Sequence, residues 1–321
     1  MTVVIDLRVS GHFSPAAAAF WEQFWTALAQ SRFDEKFILI LAEPAIEQPG
    51  AGNIECKVIR ESSFKWLDRK SLLTFLREAG AGRYIAQHEF GFSVYRPSER
   101  LFQKKDIAAP AHVAAFSATL AKSWLNTNGI SATITPLKPA HIIVRSNLSW
   151  TETESIKTRF TGGRDFFLFS GDIDEQHQLI ELLKAFSMFK KWQQSNMQLV
   201  IAGYSNEWTD FFEDKLDSYK HKNDIVLLKD ISEEDMAQLT ASCYAGLYPC
   251  ADTVMPFFIT RAVQSGIPLI CSATAPAKEL TEVAEWINNA NLQDEFAKAM
   301  ILLYKDENHK NVLIEKEKAN A

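Results

Sequence analysis

Charged residues and glycines gather where four apolar runs of the second half end. Residues 166–169 lead into Ser170-Gly171-Asp172-Ile173-Asp174, 199–202 into Gly203-Tyr204, 225–228 into Lys229-Asp230-Ile231-Ser232, and 245–248 into a loop, 249–256, that carries Asp252 and Thr253. Glycine at a strand end lets a ligand approach the backbone closely, or serves the turn alone. His177 opens a helix, where partial positive charge attracts anions; its imidazole suits either a phosphate or solvent. Arg261 lies among Phe257, Phe258 and Val263, either as a phosphate-binding cation or as half of an ion pair. Asp172 and Asp174 suit local turn hydrogen bonds or a cation. In the first half, Gly11 and His12 follow the opening apolar run, and His88-Glu89 and His112 are candidates for chemistry on an acceptor.

These positions converge only if the runs before them are strands of one sheet. Val3-Val4-Ile5 reads as a buried strand, 15–30 as a helix with Phe20, Trp21, Phe24 and Trp25 at helical spacing, and 37–41 as a second buried strand. That is a βαβ unit. Within 44–130 only helices over 70–78 and 111–124 are assigned, with a strand near 132–135 to follow. Residues 140–161 are polar and read as an irregular inter-domain link.

The second half alternates strand and helix six times. Its first helix presents Leu179, Ile180, Leu182, Leu183, Phe186, Phe189 and Trp192 on one wide face. A polar helix is expected over 210–220. Ser232 caps a helix whose first turn holds Glu233, Glu234 and Asp235, and Gly266 ends another. The pattern predicts an α/β fold of two Rossmann-like domains, 1–145 and 146–321, with parallel sheets covered by helices. Ligands of such sheets sit beyond the carboxyl ends of the strands.

Composition narrows the partners. The 321 residues hold 34 basic and 40 acidic side chains, a net charge of −6, which offers no cationic field for nucleic acid. Cys56, Cys243, Cys250 and Cys271 form no C-x-x-C pair and are read as reduced, buried thiols. No apolar stretch is long enough to span a membrane, and Asp6 inside the opening run argues against a secretory signal. The expected location is the cytoplasm, free or at a membrane surface.

Residues 165–305 resemble the C-terminal domain of GT-B glycosyltransferases, specifically the retaining family 4. FFLFSGDIDEQHQLIELLKAF is similar to that family's strand, glycine, Arg-x-Asp-x-x-Lys-Asn and helix. LVIAGYS is similar to its Leu-Val-Ile-Ala-Gly turn, IVLLKDISEEDMAQLTASCYAGLYPC to its strand–loop–helix–strand, and TRAVQSGIPLICS to its Glu-Ala-Met-Ala-x-Gly-x-Pro-Val-Val segment. VVIDLRVSG weakly resembles the first strand and its Asp-x-Arg. The resemblance implies two domains facing a cleft, a short N-terminal acceptor-side domain, and transfer from a nucleotide-diphosphate sugar to a glycan or lipid-linked acceptor. It implies no metal or other cofactor. Partners would be the nucleotide sugar, the acceptor and proteins of glycan assembly.

The chemistry-bearing positions depart from the family. Where its arginine and lysine neutralise the leaving diphosphate, this chain has Asp172 and His177. A carboxylate there repels a diphosphate by about 1–4 kcal/mol at about 4 Å. Where two glutamates stand eight residues apart, this chain has Thr253 and Arg261, with Asp252 beside the first. Lys229 replaces a loop glycine, and Gly11 and His12 alone represent the glycine-rich N-terminal loop. Lys229 or Arg261 is then a relocated cation, or the chain is a non-catalytic scaffold. Gly171, Asp172, His177, Gly203, Tyr204, Lys229, Asp230, Ile231, Asp252, Thr253 and Arg261 are the expected nucleotide-sugar contacts, and no catalytic residue is assigned.

Overall fold

A computed structural model describes residues 2–8, 13–31, 35–41, 54–59, 65–88, 90–95, 110, 112–137, 143–288 and 291–320. The chain divides into two compact units, Met1–His141 and Ile142–Ala321.

The first unit contains β1 (Thr2–Asp6), α1 (Pro15–Ser31), β2 (Lys36–Leu41), β3 (Ile54–Val58), α2 (Lys65–Glu78), β4 (Ala81–His88), β5 (Gly91–Tyr95), β6 (His112–Ala115), α3 (Ala118–Thr127) and β7 (Thr133–Pro136). Its sheet runs β3-β2-β1-β4-β5-β6-β7. The strands are parallel except β5, which is antiparallel to both β4 and β6. The opening strand–helix–strand is as expected, and Trp21 and Trp25 are buried in an aromatic cluster with Phe24, Phe92 and Phe116.

The helix expected over 111–124 is corrected. Residues 112–115 pair with β5 and β7, and helix begins only after Ser117, whose hydroxyl accepts the Leu120 N–H at 3.2 Å. Buried Val113, Ala114 and Ala115 fit the sheet, and the cap sets the boundary.

The second unit opens with α4 (Trp150–Thr161), where an irregular link was expected. Its start is a capping box: Ser149 Oγ accepts the Glu152 N–H, and Glu152 accepts the Ser149 N–H at 2.8 Å. Then follow β8 (Phe166–Asp172), α5 (Leu179–Gln193), β9 (Gln198–Tyr204), α6 (Thr209–Asp217), β10 (Ile225–Lys229), α7 (Glu233–Ser242), β11 (Ala245–Tyr248), α8 (Phe257–Ser265), β12 (Leu269–Ser272), α9 (Ala275–Leu280), β13 (Glu285–Ile287), α10 (Leu292–Lys305) and α11 (Glu307–Asn320). The sheet is wholly parallel, in the order β10-β9-β8-β11-β12-β13. Residues 166–169 of the central strand are fully buried, as a strand covered on both faces requires.

One core assignment fails. Trp192 is 71% exposed, while Lys190 is buried in its place and donates to Ser195 O at 2.5 Å and Met197 O at 3.1 Å. Trp192 lies roughly 120° round the helix from Phe186, off the apolar stripe. All four cysteines are free thiols: Cys243, Cys250 and Cys271 are buried and Cys56 is partly exposed. No helix among the described residues is long and apolar enough to cross a membrane.

Candidate functional site

Chain order locates the site of the second unit. From β8 the chain winds outward to β9 and β10, then returns to the other side of β8 for β11, β12 and β13. The connections diverge between β8 and β11, and sheets of this kind bind ligands beyond the carboxyl ends of the strands at such a point. Asp172 ends β8 and is buried. The 3-10 turn Glu175–His177 follows it, and the backbone N–H of Ala251 ties the loop after β11 to Gln176 O at 3.0 Å.

His177 is not the solvent-facing side chain that a helix start suggests. It is 3% exposed and both ring nitrogens are engaged, Nδ1 with Asp174 at 2.7 Å and Nε2 with the Tyr248 hydroxyl at 3.1 Å. The Asp174 carboxylate accepts from Nδ1–H, and Nε2 meets the Tyr248 hydroxyl, whose pKa burial pushes well above its ordinary value. Asp174 also accepts the His177 backbone N–H at 3.0 Å, the local turn bonding expected of it. Phe169 and Tyr248 meet the imidazole edge-on. The ring is an internal strut.

The two glycines also serve the sheet. Gly171 and Gly203 lie opposite each other in the β8–β9 register. A Cβ on Gly203 would sit 2.2 Å from Gly171 O and 3.1 Å from Ile173, so the close approach there is made by the neighbouring strand. A Cβ on Gly171 would meet Phe169 at 3.3 Å and the His177 ring at 3.4 Å.

A charged cluster forms beside them. Tyr204, at the end of β9, donates its hydroxyl to Glu233, the first residue of α7. Arg261, on the buried face of α8, donates to the other oxygen of Glu233, and its Nε donates to Ile143 O at 3.2 Å. Burial, then the Glu233 charge, pushes the Tyr204 phenol far up, and Asp172 adds to the same shift. Arg261, Glu233, Tyr204 and Asp172 therefore share one electrostatic neighbourhood.

The other expected contacts fall elsewhere. The Lys229 ammonium pairs with Glu213 of α6 on an exposed surface. Asp230, at φ +52°, accepts from Ser205 N at 2.9 Å and Ser205 Oγ at 2.8 Å; these bonds hold its carboxyl below the usual range and join the loops after β9 and β10. Ile231 is half-buried in that loop, and Asp252 and Thr253 are exposed in the loop after β11. Gly11, His12 and Glu89 lie outside the described residues. His88 is described: its Nε2 meets Ser93 Oγ at 2.7 Å, its ring stacks on Phe90, and burial lowers its pKa to about 4. His112 is half-buried at the start of β6.

Sequence reasoning missed Glu233 and Tyr248. Glu233 reads as an ordinary acid at a helix start. The usable signal was the run of three acids, Glu233, Glu234 and Asp235, for which Arg145 and Arg159 earlier in the chain are available partners.

The family model for glycosyl transferases group 1 matches residues 151–320, more than half of the chain. The chain belongs to that family. No curated protein matches it. Solved structures agree over the whole length and define a GT-B fold. HepE from Anabaena, solved with UDP and glucose, aligns with a TM-score of 0.75 at 13% identity, over 99% of this chain and 94% of that one. A glycosyltransferase from Rickettsia africae gives 0.74 at 11% identity, over 99% and 91%. WaaG, a glycosyltransferase involved in lipopolysaccharide biosynthesis, gives 0.73 at 10% identity, over 99% and 94%.

Proposed function

We propose that this chain transfers a sugar, with retention of configuration as in family 4, from a nucleoside-diphosphate sugar to a glycan or lipid-linked acceptor. The observation that carries this is the family match over residues 151–320, the segment that contains the β8–β11 switch point and the Arg261 cluster. The HepE complexes with UDP and glucose and the role of WaaG in lipopolysaccharide biosynthesis support the donor and acceptor classes.

In this reading Arg261 is the relocated diphosphate cation. It is the buried guanidinium of the cluster, whereas Lys229 is engaged by Glu213 at the surface. The backbone around Gly171 and the 229–232 loop receive the nucleotide, and Asp172, Tyr204 and Glu233 face its hydroxyls. Charge neutralisation is assigned to Arg261 and helix N-termini, with no metal or other cofactor. The protein works in the cytoplasm or at a membrane surface with proteins of glycan assembly.

Calorimetry of the chain with UDP-, GDP- and ADP-sugars tests the donor, and the anomeric configuration of the product by NMR tests retention. Absence of binding at millimolar donor would refute an active enzyme. It would favour the second reading, a non-catalytic scaffold subunit, which is motivated by the buried Asp172 where the family carries a cation. Donor hydrolysis that disappears in Arg261→Ala would exclude that second reading.

A further inference from the structure

The first turn of α7 carries three consecutive acids, and each is paired with an arginine from a different part of the second unit. Glu233 is held by Arg261 of α8. Glu234 is held by Arg145, which precedes α4, through Nη2 at 2.5 Å and Nε at 2.8 Å. Asp235 is held by Arg159 of α4 in a two-pronged contact at 2.7 and 3.0 Å.

Stability does not require this arrangement. Acids at a helix N-terminus are already favourable, Ser232 caps the helix, and half-exposed ion pairs contribute little. Arg145 and Arg159 are each more than half exposed. What the pairs do is fix position. They tie the start of α7 to α4 and to the segment before it. The preceding loop, 229–232, is fixed at its other end by the Asp230 carboxylate on Ser205 and by a left-handed Asp230 backbone. Both ends of the short loop between β10 and α7, at the carboxyl edge of the sheet, are thereby anchored.

We propose that Arg145 and Arg159 are positioning residues that hold this loop and the first turn of α7 in the conformation that receives the donor's nucleoside. The proposal rests on the donor-site reading above. Arg159 grips both oxygens of Asp235 and two Arg145 donors converge on one oxygen of Glu234; such two-donor contacts specify orientation as well as charge, which a lysine reproduces only in part.

The test is calorimetric titration of the full chain with UDP, GDP and ADP. The variants are R145M, R159M, R145M/R159M and R145K/R159K, with R164M as the control; Arg164 is a partly exposed partner of Asp224 outside the cluster. The expected result is that R145M/R159M loses about tenfold in affinity for the preferred nucleotide and much of its preference over the other two. Each single variant shows a smaller loss in the same direction, R145K/R159K keeps the preference, and R164M matches the wild type. Wild-type affinity and selectivity in R145M/R159M, or in both single variants if the double does not fold, would overturn the proposal. So would an equal loss for all three nucleotides, which is the mark of simple destabilisation. If the wild type binds none of the three, the donor-site reading itself falls.

Discussion

The pairing of Arg261 with Glu233 makes a quantitative prediction. Their side chains are 10% and 21% exposed, so the pair lies between a surface ion pair and a fully buried one. Removing one partner of a fully buried pair costs about 3–5 kcal/mol, whereas exposed pairs are worth about 0–1. Arg261→Met removes the cation and the bond to Ile143 O, and leaves Glu233 with the Tyr204 hydroxyl and the helix N-terminus. We expect a cost of about 2–3 kcal/mol. Glu233→Gln keeps an acceptor for Tyr204 and should cost about 1–2 kcal/mol. The double variant should cost little more than Arg261→Met alone, which gives a coupling energy of about 1.5 kcal/mol. Urea unfolding provides the total, and hydrogen exchange resolved over α7 and α8 assigns it to this unit. Because the pair is shielded from solvent, the coupling should survive about 0.5 M salt. Additive single-variant costs, with coupling below about 0.5 kcal/mol, would refute the claim that the two side chains form one unit.

Two further outcomes follow from the packing. Gly203→Ala drives a Cβ into the Gly171 carbonyl, a backbone atom that cannot rotate away, and should lower stability by about 1–3 kcal/mol in a urea melt; an unchanged midpoint would show that β8 and β9 are not held in this register. His88 is held at a pKa of about 4 by burial, below the 6.5 of free imidazole, so the unfolded chain takes up that proton first. Its contribution of roughly 3 kcal/mol is fully present above about pH 6.5 and is lost as pH falls through about 4. His88→Gln should flatten the pH dependence of the urea midpoint in that window, and an unchanged slope would exclude His88 as its source.

The parallel sheet of the second unit was legible because its strands are buried on both faces and read as unbroken apolar runs, as in 166–169 and 199–202. The antiparallel part of the first unit was not. β4 mixes Gly82 and Arg83 with buried Tyr84, Ile85 and Gln87, and β6 is an alanine-rich stretch that joins smoothly to a real helix. The site followed the same division. Strand ends were predictable from topology, and Asp172 and Tyr204 do end β8 and β9. The roles of the glycines and of His177 were not, because the atoms that fill the space beside them come from neighbouring strands and from Tyr248, which is distant in sequence. Glu233 was hidden by having a sufficient local explanation as a helix-start acid, while its partner Arg261 lies two elements further on.

The distribution of free thiols has a practical consequence. Cys56 belongs to the first unit and is partly exposed, whereas Cys243, Cys250 and Cys271 all lie in the core of the second. Burial pushes the Cys250 thiol up to about 12 and Cys243 higher still, so almost no thiolate exists for an alkylating reagent until that core opens. The second unit therefore carries its own chemical clock, and Cys56 is the accessible reference thiol. Mass spectra of partly alkylated chains would show whether the three core thiols of this glycosyltransferase fold become reactive together or one at a time.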